Sequence, residues 1–173
     1  MADRISIGDE APNFDLSSTE SCLLMLRDEV PRTAVVLYFF SDPSSERARR
    51  DLLALGRAKE DLRRAHAKPL AISRADLASL QKLQIELELP YPLLHDDRDF
   101  SSRYGVRPPE EGQEGSPALY VVNRQQRVLW LSNPVAAVEE ALPEALRSLA
   151  DQGSPAGQYP RSVVNRWVDR WVN

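Results

Sequence analysis

Apolar residues in the first forty positions form short runs that polar turns separate. Residues 14–16 and 22–26 flank the turn-rich residues 17–20, a pattern that predicts a β-hairpin. The next run, residues 34–40, is apolar throughout and does not alternate with polar positions. Because a strand that is covered on both faces needs no polar side, this run predicts a central, buried strand.

Helical periodicity follows between residues 44 and 67. Apolar side chains recur at helical spacing, at Ala48, Leu52, Leu55, Leu62 and Ala65. Asp42 is placed to cap this helix, and Pro43 to occupy its first position, where a proline needs no backbone N–H. The pattern therefore predicts one helix that begins directly after the buried strand.

Short strands and helices alternate in the middle of the chain. Residues 69–73 predict a strand, and Ser73 with Asp76 resembles the capping box of a following helix. Residues 90–94 predict a further extended segment, and residues 100–104 a brief helix that ends at the next glycine. This order adds a second strand–helix–strand step to the first.

A loop, a second hairpin and a helix follow. Residues 107–115 are rich in Pro, Glu and Gly and predict the loop. The apolar runs 118–122 and 127–131 predict the hairpin. We expect Asn133-Pro134 to cap a helix that Pro143 kinks, because a proline inside a helix removes a backbone hydrogen bond.

The tail over residues 151–173 is predicted to be separate from the domain over residues 1–150. It begins with a linker that contains Gly and Pro, and residues 161–173 predict an amphipathic helix. Tryptophan with arginine is typical of interfaces and of membrane surfaces. This helix can therefore pack on its own domain, on a second copy or other protein, or on a membrane. Its apolar side carries Val164, Trp167, Val168 and Trp171, and its polar side Arg161, Arg166, Asp169 and Arg170.

The order of elements predicts an α/β fold with a central mixed sheet and helices on both faces. A chain of 173 residues, 42% of them hydrophobic, suits one domain. A net charge of −4 argues against nucleic-acid binding, which needs a basic surplus. The N-terminus lacks the build of a signal peptide, and no apolar run approaches the roughly 18 residues of a membrane span. We therefore expect a cytoplasmic protein.

Residues that bind metals or form disulfides are few. Cys22 is the one cysteine, which excludes an internal disulfide, and His66 and His95 lie far apart in sequence. No metal or other cofactor is predicted. Asp96 and Asp97 follow His95 directly, and we expect these acidic residues to cap the helix after them.

Several segments together resemble the peroxiredoxins of the alkyl hydroperoxide reductase and thiol-specific antioxidant family. The resemblance covers about residues 4–132. It implies a thioredoxin-like three-layer sandwich, here with an N-terminal hairpin and a C-terminal helical tail. The matching segments are residues 8–16 (Gly-Asp-Glu-Ala-Pro-Asn-Phe-Asp-Leu), 35–40, 93–96 (Leu-Leu-His-Asp), 104–106 (Tyr-Gly-Val) and 115–123 (Gly-Ser-Pro-Ala-Leu-Tyr-Val-Val-Asn).

The chain departs from this family where the family's chemistry occurs. The resemblance implies a Pro, a Thr and then a peroxide-attacking Cys in the loop that enters the first long helix. Here residues 42–47 contain neither Cys nor Thr, so that Ser44 or Ser45 takes the reactive position. The family's arginine before Tyr120 is also missing. Pro117 in that segment resembles the cis-proline of thioredoxins, so we expect a cis bond there.

A serine cannot replace the lost cysteine, because peroxide reduction needs a thiolate that becomes a sulfenic acid. A helix N-terminus contributes only about 0.3–1 kcal/mol to an anion, too little to ionise a hydroxyl near neutral pH. A hydrolase would need a histidine beside the serine. His66 is placed at the far end of the same helix, whereas His95 remains open as a base.

Cys22 is expected to be a small buried hydrophobe in an apolar strand beside Leu23 and Leu24. We therefore predict a protein that has lost thiol peroxidase activity and has a binding, structural or regulatory role. The alternative is a thiol-dependent peroxidase or oxidoreductase that works through Cys22 with an external thiol reductant. The predicted binding groove would hold an anion, an extended peptide or a thiol protein against Asp42, Ser44, Ser45, Ser116 and Pro117.

Overall fold

A seven-stranded mixed sheet forms the centre of the computed structural model, which describes residues 5–113 and 115–150. The spatial order of the strands is β2-β1-β5-β4-β3-β6-β7, in which β3 runs parallel to β4 and antiparallel to β6. The predicted mixed sheet is therefore confirmed. In chain order the strands are β1 (Asp15–Ser18), β2 (Leu23–Met25), β3 (Ala34–Phe39), β4 (Ala67–Ser73), β5 (Leu93–His95), β6 (Ala118–Val122) and β7 (Val128–Ser132).

Helices lie on both faces of this sheet. Helices α2, α4 and α5 pack against the side chains of Val36, Tyr38 and Phe40, whereas α1 and a 3₁₀ helix lie on the opposite face. This arrangement confirms the predicted three-layer architecture. The bounds are α1 (Leu26–Glu29), α2 (Glu46–Arg57), α3 (Lys59–Arg64), α4 (Leu77–Leu87), the 3₁₀ helix (Phe100–Tyr104) and α5 (Val138–Ala150).

Strand β3 is the central strand that its unbroken apolar run predicted. All six of its residues are buried. Its edges are paired with β4 and β6, and its two faces contact two separate hydrophobic clusters. The strand therefore holds the start of α2 at a fixed place above the sheet.

The helix predicted over residues 44–67 begins later and is interrupted. Helix α2 begins at Glu46 with Ser45 as its N-cap, so the prediction of Asp42 as cap and Pro43 as first helical residue was wrong. The helix ends before Ala58, whose ψ of 11° departs from helical geometry, and α3 follows. Gly56, with the lowest helix propensity in this segment, lies two residues before the interruption.

Two further caps differ from the prediction. Asp76 rather than Ser73 caps α4, because its side chain accepts a hydrogen bond from the backbone N–H of Ser79. Ser73 instead belongs to β4. Helix α5 begins at Val138 and contains Pro143, so Asn133-Pro134 lies ahead of the helix and does not cap it.

The 3₁₀ helix and the two hairpins agree with the prediction. Gly105 ends the 3₁₀ helix at a φ of 78°, a left-handed conformation that favours glycine. None of the helices in residues 5–113 and 115–150 has the length and apolar character that a bilayer crossing requires. The predicted linker and amphipathic helix lie outside the described residues, and the domain boundary after residue 150 stays a prediction.

Candidate functional site

The loop between β3 and α2 brings the predicted site residues to the end of the central strand. Ser45 has an extended backbone, with φ −63° and ψ 127°, and its hydroxyl accepts a hydrogen bond from the N–H of Ala48 at 3.3 Å. This bond satisfies one of the amides that a helix start leaves without a partner. The hydroxyl of Ser45 therefore has a structural role in beginning the helix.

Ser44 is exposed and bound to Asp42. The carboxylate Oδ1 of Asp42 accepts from the backbone N–H of Ser44 at 2.8 Å and from its hydroxyl at 2.7 Å. The backbone bond first, and then the hydroxyl bond, lower the pKa of Asp42 below its ordinary value. A negative charge is thus present at the helix start, where it opposes the formation of a second anion.

A small pocket lies behind this loop. Of the five predicted groove residues, Asp42, Ser45 and Pro117 line it, whereas Ser44 and Ser116 are exposed beside it. Its volume is about 10 Å³, which is about the space of a single water molecule. In this conformation the pocket does not admit a peptide or an organic substrate.

Gly115 forms one wall of the pocket through a close approach to Ser41. A Cβ atom on Gly115 would lie 2.0 Å from the Ser41 Oγ and 2.8 Å from its Cβ. Real Cβ atoms do not come so close to other atoms, so a larger residue would displace the loop. The glycine therefore allows the loop that precedes β6 to close over the end of β3.

Asp51 supports α2 from behind and was missed by the sequence analysis. Its side chain is buried, with 2% of its surface exposed. Oδ2 accepts a hydrogen bond from the hydroxyl of Tyr38 at 2.7 Å, and Oδ1 accepts from the backbone N–H of Val138 at 3.1 Å. One carboxylate thus joins strand β3, helix α2 and the first residue of α5.

Arg47 lines the pocket but its charged end is directed elsewhere. Its guanidinium donates to the carbonyl of Val135 at 2.6 Å and to that of Ala136 at 3.1 Å. These bonds tie the first turn of α2 to the segment ahead of α5. Burial, and then the nearby Asp51 carboxylate, raise the pKa of Tyr38 well above its usual range, so this pocket hydroxyl stays protonated.

The cis-proline prediction was wrong. In the described residues the cis peptide bond is at Asn133-Pro134, and the bond before Pro117 is trans. Pro117 is buried and lines the same pocket as Ser45, the N-cap of α2.

Cys22 is exposed, so its predicted burial was wrong. It lies in the turn before β2, which is the edge strand of the sheet, and its Sγ is 3.2 Å from the Oγ of Ser18. An edge strand has a neighbour on one side only, which explains the exposure of this apolar run. Four strand spacings, roughly 19 Å at about 4.8 Å each, separate β2 from β3. The thiol is therefore remote from the start of α2.

The histidines do not form a hydrolase site with Ser44. The Nδ1 of His95 is 2.6 Å from the carbonyl oxygen of Ala75, whereas the hydroxyl of Ser44 donates to Asp42. His66 follows α3, at the end of the helical segment away from Ser44. A serine–histidine pair of the kind that activates a nucleophile is thus not assembled at this residue.

The side chain of Asp96 binds the start of the 3₁₀ helix, as the sequence predicted, although Asp99 occupies the N-cap position and Asp97 pairs with Arg98. Asp96 accepts hydrogen bonds from the backbone N–H of Phe100 at 2.9 Å and from that of Ser101 at 2.8 Å. Within the described ranges, His, Cys, Asp and Glu side chains do not assemble in threes that can hold a metal ion.

Sequence reasoning missed the residues that support the site, namely Tyr38, Ser41, Arg47, Asp51 and Gly115. One signal could have found Asp51. It lies beside Leu52 and three residues after Ala48, which places a carboxylate on the apolar face of α2. A charge at a core position indicates a buried polar partner.

Comparisons with known proteins agree with this geometry. The chain matches the model of the AhpC/TSA family over residues 7–131. Peroxiredoxin Q, a chloroplastic protein of Oryza sativa subsp. japonica, is 26% identical over 147 residues, which are 84% of this chain and 67% of the relative.

Solved structures show the same fold at low identity. Peroxidoxin BcpB from Mycobacterium tuberculosis superimposes with a TM-score of 0.79 at 18% identity, over 87% of this chain and 100% of that chain. A cysteine-to-serine mutant of PrxQ from Xylella fastidiosa gives a TM-score of 0.77 at 19% identity, over 88% and 99%. With the family match over most of its length, the chain belongs to the AhpC/TSA family and has the thioredoxin-like fold of the peroxiredoxins.

Proposed function

We propose that this family member has lost thiol peroxidase chemistry and has a binding, structural or regulatory role. The observation that carries the proposal is that serines, and not a thiol, occupy the start of α2. There Ser44 is bound to Asp42, Ser45 caps α2, and the one cysteine lies about four strand spacings away.

The chemistry explains why these residues do not replace a thiol. In peroxide reduction a thiolate attacks one oxygen of the O–O bond, the other oxygen leaves as an alkoxide or hydroxide, and the sulfur is oxidised to a sulfenic acid. A serine oxygen has no corresponding oxidation step. The lowered pKa of Asp42 keeps a negative charge at the same place, which further opposes an attacking anion.

The binding role is proposed for Asp42, Ser44, Ser45, Ser116 and Pro117. The small volume behind the loop and the Asp42 carboxylate disfavour an enclosed anion. They favour a partner that contacts the exposed Ser44 and Ser116 from outside, such as an extended peptide or the surface of a thiol protein.

A peroxide-consumption assay tests the loss of chemistry. We expect the native chain, in the presence of thioredoxin or glutathione reducing systems, to consume hydrogen peroxide no faster than the Cys22→Ser variant does. A matched control is Ser18→Ala, which changes the neighbour of the thiol and retains the sulfur. Thiol-dependent turnover in the native chain that disappears in Cys22→Ser would refute the proposal.

Restoring sulfur identifies the lost position. Ser44→Cys and Ser45→Cys, each in a Cys22→Ser background, place one thiol at the start of α2. We expect the variant at the ancestral position to form a sulfenic acid with peroxide faster than the native chain does, because a helix start stabilises a thiolate. If neither variant forms one faster, the helix start is not a vestigial peroxidatic site.

The alternative function is a peroxidase or oxidoreductase that works through Cys22. The exposure of this thiol favours it, since an external reductant can reach the sulfur. With one cysteine in the chain, each turnover would need an outside thiol to reduce the sulfenic acid. The assay with Cys22→Ser separates this function from the proposed one.

The binding site has its own test. Amide resonances of Ser44, Ser45 and Ser116 are followed by NMR during titration with sulfate and with an oxidised or reduced thioredoxin. Shifts with thioredoxin support the proposed protein contact, and shifts with sulfate alone would indicate an anion site instead.

The cytoplasmic location stays a prediction, because a relative in this family is described as chloroplastic.

A further inference from the structure

A groove between helices α2, α3 and α5 is a feature of the helical face that the proposed function does not use. Its volume is about 640 Å³. Its floor contains small or aliphatic side chains, Ala54, Ala58, Leu142 and Leu146. Small residues on neighbouring helices leave the space that a further helix occupies when it packs at the usual axial distance of about 8–10 Å.

We infer that this groove receives residues 161–173 of the same chain, with the tryptophan side of that predicted amphipathic helix against the apolar floor. The groove and the segment are adjacent in the sequence, because Ala150, the last residue of α5, itself lines the groove.

The lengths of the two parts agree. The portion of α5 that lines the groove runs from Glu139 to Ala150, about 17 Å at 1.5 Å per residue. A helix over residues 161–173 would span about 18 Å by the same measure. The ten residues between them have a typical end-to-end distance of roughly 16–19 Å, which is enough to reverse direction and to lie beside α5.

The chemistry of the rim also fits. Arg57, Arg64 and Arg147 stand around the groove, and guanidinium groups stack on indole rings such as those of Trp167 and Trp171. In an antiparallel arrangement the later part of the segment comes towards the end of α5 that carries Glu139. Arg170 then meets a carboxylate of opposite charge.

The covalent connection favours this occupant over a second copy. A connection of ten residues gives the tethered segment an effective concentration in the millimolar range. A separate chain must reach that concentration to compete for the same groove. The two tryptophans therefore bury their apolar surface within one molecule.

Tryptophan fluorescence in the full-length chain tests the inference. A Trp130→Phe background leaves Trp167 and Trp171 as the only indoles, so emission and acrylamide quenching report on the tail alone. We expect a blue-shifted emission and quenching several-fold weaker than that of a free indole, both unchanged on dilution. Light scattering records the mass of the same samples.

Groove variants identify where the indoles bind. Leu146→Glu places a charge on the floor, and we expect it to raise the quenching towards that of free indole. Ala65→Glu, at a half-buried position on the α3 side, gives a second test that removes no core side chain. Ile85→Glu is the matched control, because Ile85 is 77% exposed on α4, outside the groove. Circular dichroism verifies that each variant folds.

Four outcomes would overturn the inference. They are free-indole quenching in the native chain, protection that Leu146→Glu and Ala65→Glu leave unchanged, protection that disappears with a dimer on dilution, and protection that appears only with phosphatidylserine vesicles. The third would assign the groove to a second copy, and the fourth would assign the tail to a membrane surface.

Discussion

Helix α2 has polar groups near its N-terminal start, here called the front, and on its buried face, here called the back. Both sets of groups lie near the buried strand β3, but they differ in their exposure to water. At the front, Ser44 and Asp42 are exposed and bond to each other. At the back, Asp51 is buried and holds Tyr38 and the N–H of Val138 with its two oxygens. Water can replace a lost bond at the front but not at the back. A substitution at the front is therefore expected to destabilise the helix less than one at the back.

Replacing Asp51 gives the largest expected effect on this contrast. In Asp51→Leu the hydroxyl of Tyr38 and the N–H of Val138 both lose their acceptor while they stay buried. At about 1–3 kcal/mol for each orphaned donor, we expect the free energy of unfolding to fall by about 2–6 kcal/mol. Urea denaturation followed by circular dichroism measures this loss.

Asp51→Asn is the control for Asp51→Leu. The asparagine oxygen can accept from Val138, and its amide can donate to Tyr38, whose hydroxyl both donates and accepts. We therefore expect a much smaller loss. Equal losses for the leucine and asparagine variants would mean that volume or charge, and not the two hydrogen bonds, explains the role of Asp51.

A substitution of Gly115, in the wall of the pocket, is expected to have an effect of intermediate size on the free energy of unfolding. In Gly115→Ala the new methyl group collides with the side chain of Ser41. Overpacking of this kind costs about 1–3 kcal/mol of unfolding free energy. Ser41→Gly removes both atoms that collide. In the Ser41→Gly background, Gly115→Ala should therefore lower the free energy of unfolding much less than it does in the native chain, as measured by thermal and urea unfolding. A double variant that shows no recovery would contradict the close approach of Gly115 to Ser41.

The cap at the front gives a smaller effect. We expect Ser45→Ala to lower the free energy of unfolding by about 1 kcal/mol, because the N–H of Ala48 loses its acceptor. Ser45→Asp preserves an oxygen at this position and should preserve stability. If Ser44→Ala proves more destabilising than Ser45→Ala, the assignment of the cap is wrong.

Protonation of Asp42 at acid pH is expected to have the smallest effect on stability. Because the folded protein lowers the pKa of Asp42, the ionised carboxylate contributes stability above its unfolded pKa of about 3.9. This contribution is lost as the pH falls through the lower, folded pKa. We expect the stability difference between the native chain and Asp42→Asn to be small at neutral pH and to vanish in acid, in urea titrations at several pH values. A difference that grows in acid would have the wrong sign.

Local patterns predicted the sheet and its hairpins better than the details around the site. Period and turn residues identified β1 to β7 because they act over a few neighbouring positions. Asp42, Ser44 and Ser45 are all residue types that cap helices, so the pattern near them does not choose among them. The choice depends on how the loop leaves β3.

Contacts between residues far apart in sequence explain the remaining differences between the predicted and the observed structure. The partners of Asp51 lie 13 and 87 positions away, so the residues next to it in sequence do not reveal its two hydrogen bonds. Cys22 is followed by apolar residues, but Leu23 is 58% exposed because β2 is an edge strand. Which strand is at the edge follows from the topology of the whole sheet and is not a property of the segment.

Arg47 links helix α2 mechanically to the segment that leads into α5. Arg47 lines the pocket, and its guanidinium donates to the two carbonyls that lead into α5. A load applied to α5 therefore reaches α2 at two points, through Arg47 in its first turn and through Asp51 in its second.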